Sequence, residues 1–500
     1  MQAGAQTTRS SLFRNLLKGT TLYSIALFGQ RLGSVILLPI NTRFLHPADY
    51  GKLELVEQSM MVISILLGIQ LSASLGYFYF EQDSEKARER AASTSMMGAV
   101  LAGIVASIAG LVFLNPINHL VVLAFGQIDI RLLLQISFIC LPLSFALEAG
   151  FSWVRITDRP GMFAMASFLR LGITIVSTIT LVAGFRLGVL GVVTSSNTAI
   201  VGVACVLIVY FLKRTPILFD RHLLVRMFKF SVPLALGSVA MFIIHFGDRF
   251  ILPHYRPLAE LGIYGIAYKI GMLISLVYGS FHTYWSAQVF AVAKRDDASV
   301  VIPRIFTYIL LLLSFCAVGL VVFCRPVIRV LTTPEFQSAA ILAPLIIAAY
   351  YVRSISDFFR CFFLVEGHPE YEAACNWIGA AVCLGTYFLL IPRYGMWGAA
   401  SATAITFVVM ALIAITWSYR LRPYHFEVGR IVKVVMVAGI ISAIGVAFPV
   451  QSRILEIVRS MVLVLAFPVI LYWLRFATER ELVQARSLLT SLRYRLLKNT

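Results

Sequence analysis

Apolar runs of about twenty residues recur along this chain from end to end, separated by short polar connections. About twenty apolar residues are what an α-helix needs to cross a bilayer. In lipid, only helices and closed barrels satisfy every backbone N–H and C=O internally. Runs this long and continuous are helices, because barrel strands are roughly ten residues long and alternate in polarity. The chain therefore reads as an all-α polytopic membrane protein. Its composition agrees: of 500 residues, 59% are hydrophobic and 13% charged, against about 45–50% and about 25% in soluble globular domains.

The runs mark fourteen expected transmembrane helices, at about 19–41, 53–80, 91–114, 130–154, 160–184, 188–212, 228–252, 261–287, 301–323, 339–364, 370–391, 395–418, 428–448 and 457–475. With a cytoplasmic N-terminus, and with residues near span ends counted with the adjoining connection, 26 of the 42 Lys and Arg fall on the cytoplasmic side, 10 on the opposite side and six inside spans. That bias places both termini in the cytoplasm. Much of the net charge of +18 is then topology and contact with anionic membrane lipids, not a nucleic-acid surface. No small-residue cleavage site follows a short apolar core near the N-terminus, so the first span is expected to be retained. None of the seven cysteines forms a C-x-x-C pair, which argues against a disulfide framework or a metal site. The connections are too short to fold a domain. The tail over 476–500 places Ala485, Leu488, Leu489, Leu492 and Leu496 on one face with basic residues elsewhere, the pattern of an interfacial helix.

An internal repeat is visible. Asp49-Tyr50-Gly51, after the first span, recurs as Glu260-Leu261-Gly262, after the seventh, at an offset of 211. Arg159-Pro160 recurs as His368-Pro369, and Gly188-Val-Leu-Gly191 as Gly395-Met-Trp-Gly398. With six spans in each half, the repeats are parallel and related by an axis along the membrane normal. The expected organisation is a six-helix lobe over 10–213, a second over 222–420, two additional helices over 428–475 and the tail over 476–500. Two such bundles around a central cavity form a transporter layout.

Charges buried in a span are costly and face a protein interior or a water-filled cavity. Arg31 and Arg170 lie near the middles of spans 1 and 5, too deep to snorkel comfortably. Arg353, Asp357 and Arg360 share one face of span 10, where they either neutralise one another or face the cavity. Glu148 lies on a polar face of span 4 with Ser144 and Ser152. In spans 7 and 8, His245-Phe-Gly-Asp248-Arg249 precedes a polar turn around Pro253–Glu260 and then Lys269. Arg249 is about a turn from the outer end, where snorkelling would account for it. Counting six bases against Glu148, Asp248 and Asp357, convergence of these groups gives a cationic cavity suited to an anionic substrate, with Arg matching phosphate bidentately. Arg31, Arg170, Lys269, Arg353 and Arg360 are the candidate substrate-binding residues. Glu148, Asp248, Arg249 and Asp357 are the candidate coupling or gating residues. The absence of a Gly-rich nucleotide loop or a triad argues against an enzyme, and no cofactor is expected.

The segments Leu45-His-Pro-Ala-Asp49-Tyr-Gly51, Asp248-Arg249, Leu261-Gly-Ile-Tyr264-Gly-Ile-Ala267-Tyr-Lys269 and Tyr394-Gly395-Met-Trp-Gly398 resemble polysaccharide-biosynthesis transporters of the multidrug/oligosaccharidyl-lipid/polysaccharide (MOP) exporter superfamily. The resemblance covers roughly residues 12–475. It implies two six-helix lobes in a V that open alternately to either side of the bacterial inner membrane. It implies a flippase for undecaprenyl-diphosphate-linked oligosaccharides in O-antigen, capsule or exopolysaccharide biosynthesis. Arg31 is the residue that matches a lumenal arginine of the first span, and some relatives couple transport to Na+ or H+. Polysaccharide polymerase and chain-length proteins are the implied partners. A multidrug or organic-cation exporter and a peptidoglycan-precursor (lipid II) flippase are the alternatives within the same superfamily.

Overall fold

The computed structural model describes residues 29, 33, 35–66, 70–125, 129–448, 450 and 452–476. Arg31 and the expected tail helix from 477 onward lie outside them. The described residues are helical, with no strand among them. In chain order the helices are α1 (Leu38–Phe44), α2 (Pro47–Ser64), α3 (Gln70–Phe80), α4 (Glu85–Val112), α5 (Leu114–Phe125), α6 (Arg131–Ile139), α7 (Leu141–Ile156), α8 (Pro160–Thr178), α9 (Gly188–Leu212) and α10 (Arg221–Phe246). There follow α11 (Asp248–Tyr255), α12 (Leu258–Gly271), α13 (Ile274–Ala293), α14 (Ala298–Leu331), α15 (Ala339–Val365), α16 (Pro369–Tyr394), α17 (Met396–Leu421), α18 (Val428–Ala447) and α19 (Arg453–Trp473).

Ten of these helices are long and apolar enough to cross a membrane, and bent pairs such as α6–α7, broken by 49° at Cys140, bring the number to twelve. The chain is thus a multi-pass membrane protein, but the described residues do not reach the expected fourteen spans. The first expected span falls largely outside them. The second, read as 53–80, is divided between α2 and α3, and residues 67–69 are not described.

Local sequence signals set the helix ends. Pro47 and Pro160 occupy the first turns of α2 and α8, where the missing N–H is an orphan anyway. The Ser84 hydroxyl accepts from the N–H of Ala87 to open α4, and the Asp220 carboxylate accepts from that of Leu223 to open α10. The repeated glycines have positive φ at a helix start, Gly188 as the first residue of α9 at +56° and Gly395 just before α17 at +55°, a conformation that side chains rarely adopt. The expected polar turn over 253–260 is shorter than the sequence suggested. Pro253 lies inside α11, and α12 already begins at Leu258.

The helices form two compact units. The first holds the described residues up to Lys269 with Ile328–Leu342 and Glu370–Met410. The second holds Ile270–Val327, Ala343–Pro369 and the described residues from Ala411 on. In the first unit, α4 shows how such helices pack. Ala92, Ala99, Gly103, Ala106 and Gly110 are buried against neighbours, while Leu101, Val105, Ile108 and Val112 face outward. Small residues inside and large apolar ones outside suit a helix that meets protein on one side and lipid on the other. In the second unit, Val318 and Val322 of α14 pack with Val434, Val437 and Ile441 of α18 and Phe467 and Leu471 of α19.

One crossing in the first unit is closer than the rest. A Cβ added to Gly262 of α12 would lie 2.0 Å from the Pro47 carbonyl oxygen, and one added to Gly51 of α2 would lie 2.2 Å from the Leu258 carbonyl oxygen. The two glycines are repeat equivalents, and only glycine at both lets the backbones touch. Gly262→Ala is expected to cost about 1–3 kcal/mol by overpacking and to lower the unfolding temperature of purified protein in detergent. Gly385→Ala, at an open position on α16, is expected to leave that temperature unchanged or raise it.

Candidate functional site

The α2–α12 crossing brings charged residues of both helices together. Glu54 is 2% exposed, and its carboxylate holds two cations. One oxygen accepts from Nε of Arg249 at 3.3 Å, and the other lies 3.2 Å from Nζ of Lys269, at ion-pair distance but outside hydrogen-bond alignment. Arg249 also donates through Nη1 to Asp248 Oδ1 at 2.8 Å and to the His245 carbonyl at 3.1 Å. Tyr264 donates its hydroxyl to the other Asp248 oxygen. The guanidinium carbon lies 4.2 Å from the ring centre of Tyr268 and 4.9 Å from that of Phe246, within cation–π range.

Arg249 is therefore sealed inside the protein at 2% exposure, and the snorkelling expected from its position near a span end does not occur. Asp248, 0% exposed, is sealed with it. Neither faces an open pathway. A buried charge is tolerable only when paired and hydrogen-bonded, and here Arg249 bridges two carboxylates from helices far apart in sequence while Lys269 supplies the second positive charge.

Beside this cluster is a cleft of about 410 Å³ within the same unit. Asn41 of α1, Tyr50, Leu53 and Glu57 of α2, Ser167, Arg170 and Thr174 of α8, Ser196 of α9 and Lys269 of α12 line it, among others. Arg170 is half-buried and pairs with no carboxylate among the described residues. Lys269 reaches the cleft with 26% of its side chain exposed while its Nζ donates to the Tyr50 hydroxyl at 2.9 Å. Glu57, one turn after Glu54, is exposed at the cleft. Two cations, one carboxylate, an amide and several hydroxyls can hold a polar or charged group inside the membrane.

The other candidates lie elsewhere. Glu148 of α7 is half-buried, forms no ion pair among the described residues and is not part of the cleft lining. In the second unit, Asp357 lies 3.3 Å from Arg353 Nε and 3.2 Å from Arg360 Nη1, so the three side chains form one paired cluster. Arg31 lies outside the described residues.

Glu54 and Glu57 are the site residues that the sequence reading passed over. It began the span at 53, which placed Glu54 at a helix end, and it counted only three membrane carboxylates. The helix begins at Pro47, so Glu54 is two turns inside. Pro47, in the first turn of the helix, was the available signal.

A family model for polysaccharide biosynthesis proteins matches residues 16–285. The chain belongs to that family. A curated relative of this polysaccharide biosynthesis protein is the uncharacterized membrane protein MJ1068 of Methanocaldococcus jannaschii, 24% identical over 243 residues that make up 46% of each protein. The chain thus spans about half the length of the curated relative it matches. Among solved structures, the lipid II flippase MurJ in an inward closed conformation superposes with a TM-score of 0.72 at 15% identity, covering 90% of this chain and 99% of MurJ. A multidrug resistance MATE family transporter of the MOP superfamily, in an inward-facing conformation, gives 0.60 at 17% identity, covering 78% and 94%. A MOP superfamily transporter from Pyrococcus furiosus, described as having a binding pocket of reverse polarity, gives 0.53 at 15%, covering 81% and 95%. At these identities the likeness is one of fold.

Replacing Arg249 with Met leaves Glu54 and Asp248 buried around a missing cation. The expected loss is about 3–5 kcal/mol, read as a lower unfolding temperature or a loss of folded protein from membranes. Arg249→Lys is expected to recover only part of it, because an ammonium cannot reach both carboxylates as a planar fork does. Outside the membrane spans, His46 hydrogen-bonds Glu335 at 3.1 Å, and this bond with the carboxylate charge raises its pKa above 6.5. A raised folded value means that the contact stabilises below the unfolded value and that this stability is lost as pH rises through the folded one. Thermal melts across that window should show a downward step in wild type that His46→Ala lacks.

Proposed function

We propose that this protein is a flippase that carries an anionic undecaprenyl-diphosphate-linked oligosaccharide across the bacterial inner membrane by alternating access, with both termini cytoplasmic. The observation that carries this reading is Arg170. It is a guanidinium at mid-helix depth with no carboxylate partner among the described residues, lining a cleft that also holds Lys269 and the hydroxyls of Ser167, Thr174 and Ser196. A guanidinium in a partly dry cleft donates well-matched, charge-assisted hydrogen bonds to a phosphate group. Membership of the polysaccharide biosynthesis family and the fold shared with MurJ support a lipid-linked glycan as the cargo for O-antigen, capsule or exopolysaccharide. In this reading the diphosphate meets Arg170, Lys269 and, by its place in the first span, Arg31. The glycan occupies the hydrophilic space and the lipid tail remains in the bilayer. No bond is made or broken.

Arg353 and Arg360 would offer a second cationic station once Asp357 is taken into account, because three charged side chains leave one net positive charge. For coupling to Na+ or H+, Glu148 is the candidate carboxylate without an ion pair among the described residues, while Asp248 and Asp357 are each engaged by arginine. Polysaccharide polymerase and chain-length proteins are the proposed partners. An organic-cation exporter is the second reading, and the observation that favours it is the Glu57 carboxylate exposed at the same cleft.

Arg170→Ala is expected to reduce surface glycan about tenfold at unchanged membrane protein level, the effect of losing one charge-assisted contact of about 1.4 kcal/mol. Arg31→Ala should act in the same direction. Normal glycan export at normal protein level would remove the residue from the site. Uptake of cationic dyes by vesicles containing the purified protein, lost in Glu57→Gln, would favour the second reading.

A further inference from the structure

Lys269 stands between two environments. Its Nζ is held by the Tyr50 hydroxyl at 2.9 Å and by Glu54 at 3.2 Å, and it lies 4.7 Å from the centre of the Tyr50 ring. The same side chain is a quarter exposed and lines the cleft that contains Arg170. Glu54 has no such freedom. It is buried, and a Cβ at Gly265 would already lie 2.7 Å from its carboxylate, so there is no slack on that side. The mobile partner is the lysine, with its flexible four-carbon stem.

Losing Lys269 would not leave Glu54 alone. Its second oxygen keeps Arg249 at 3.3 Å, and Arg249 is itself fixed by Asp248 and by its aromatic surroundings. The carboxylate therefore has a permanent cation and an exchangeable one. An anion entering the cleft meets Arg170, which pairs with no carboxylate among the described residues, but it meets Lys269 only by competing with Glu54 and Tyr50.

We propose that Glu54 and Tyr50 are positioning residues that hold Lys269 as an internal counter-ion in the empty cleft, and that a phosphate group on the ligand binds by drawing Lys269 away from them. This rests on the anionic-ligand reading above. Because Lys269 joins α12 to α2, ligand binding then loosens a link between these two helices beside their glycine crossing. The cleft is weakened as an anion site while empty, and loading it changes how the two helices are held.

Inorganic pyrophosphate titrated into the full-length purified protein in nanodiscs, followed by calorimetry, tests the exchange. Glu54→Gln removes the competing charge and should tighten pyrophosphate binding about fivefold, equivalent to about 1 kcal/mol. Tyr50→Phe keeps the ring and removes only the hydroxyl. It should tighten binding by a smaller factor, and it supplies the test if Glu54→Gln does not fold. Lys269→Gln should weaken binding, and in that background Glu54→Gln should produce no gain. Wild-type binding that Glu54→Gln or Tyr50→Phe leaves unchanged or weakens would overturn the exchange while leaving the anion site standing. No binding by wild type or by any variant would overturn both.

Discussion

The backbone contact between α2 and α12 at Gly51 and Gly262 is the constraint on which the site depends. Side chains normally hold helix axes about 8–10 Å apart, and two facing glycines remove that spacer. At this closeness Glu54 of α2 reaches past the surface of α12 to Arg249, and Lys269 of α12 reaches back to Tyr50. A larger residue at either glycine would separate the carboxylate from its cations inside a medium where unpaired charge costs several kcal/mol. The packing and the electrostatics are therefore one arrangement. Neither the buried charges nor the close approach is stable without the other.

The internal repeat supplies this contact and then departs from symmetry where chemistry is needed. Gly51 and Gly262 are equivalent by sequence offset, and each touches the other's helix. At the same offset, Glu54 corresponds to Gly265, and these two also touch. One repeat contributes a carboxylate and the other contributes the space it occupies. A second carboxylate at 265 would put two like charges in one dry site. Gln58 likewise corresponds to Lys269, so of these two equivalent positions only the one on α12 carries a cation. The offset-related glycines form the crossing, and the differences at Glu54/Gly265 and Gln58/Lys269 make its two sides chemically unlike.

Much of this was legible in the sequence, but unevenly. Continuous apolar runs determined the helical, membrane-spanning class, because lipid leaves few other ways to satisfy a backbone. Arg170 and Lys269 stood out by depth alone, since a charge in mid-span needs a polar environment wherever it faces. Glu54 did not stand out, because its depth depends on whether the helix starts at Pro47 or at Leu53. The sealing of Arg249 was not readable from its own span. Of its two carboxylate partners, Glu54 is 195 residues away, and the rings that surround it come from both sides of a helix break at Gly247. Position along a span measures distance from the membrane surface, whereas burial depends on what packs around the residue in three dimensions.

That distinction also changes the electrostatic argument. A count of intramembrane bases over acids suggested a cationic interior, but at the α2–α12 crossing and its cleft the described charges are equal in number once Glu54 and Glu57 are included. Arg170, Arg249 and Lys269 stand with Glu54, Glu57 and Asp248. In the proposed reading, selectivity for an anion therefore rests on access and not on net charge. Arg249 and Asp248 neutralise each other out of reach, Glu54 is buried behind Lys269, and the groups a ligand can touch are Arg170, the exposed part of Lys269 and Glu57. At short range in a low-dielectric cleft, a cation presented directly outweighs one already paired. In the proposed reading, Arg170, the one charged residue of α8, with hydroxyl neighbours in the cleft, is the group that would favour a phosphate.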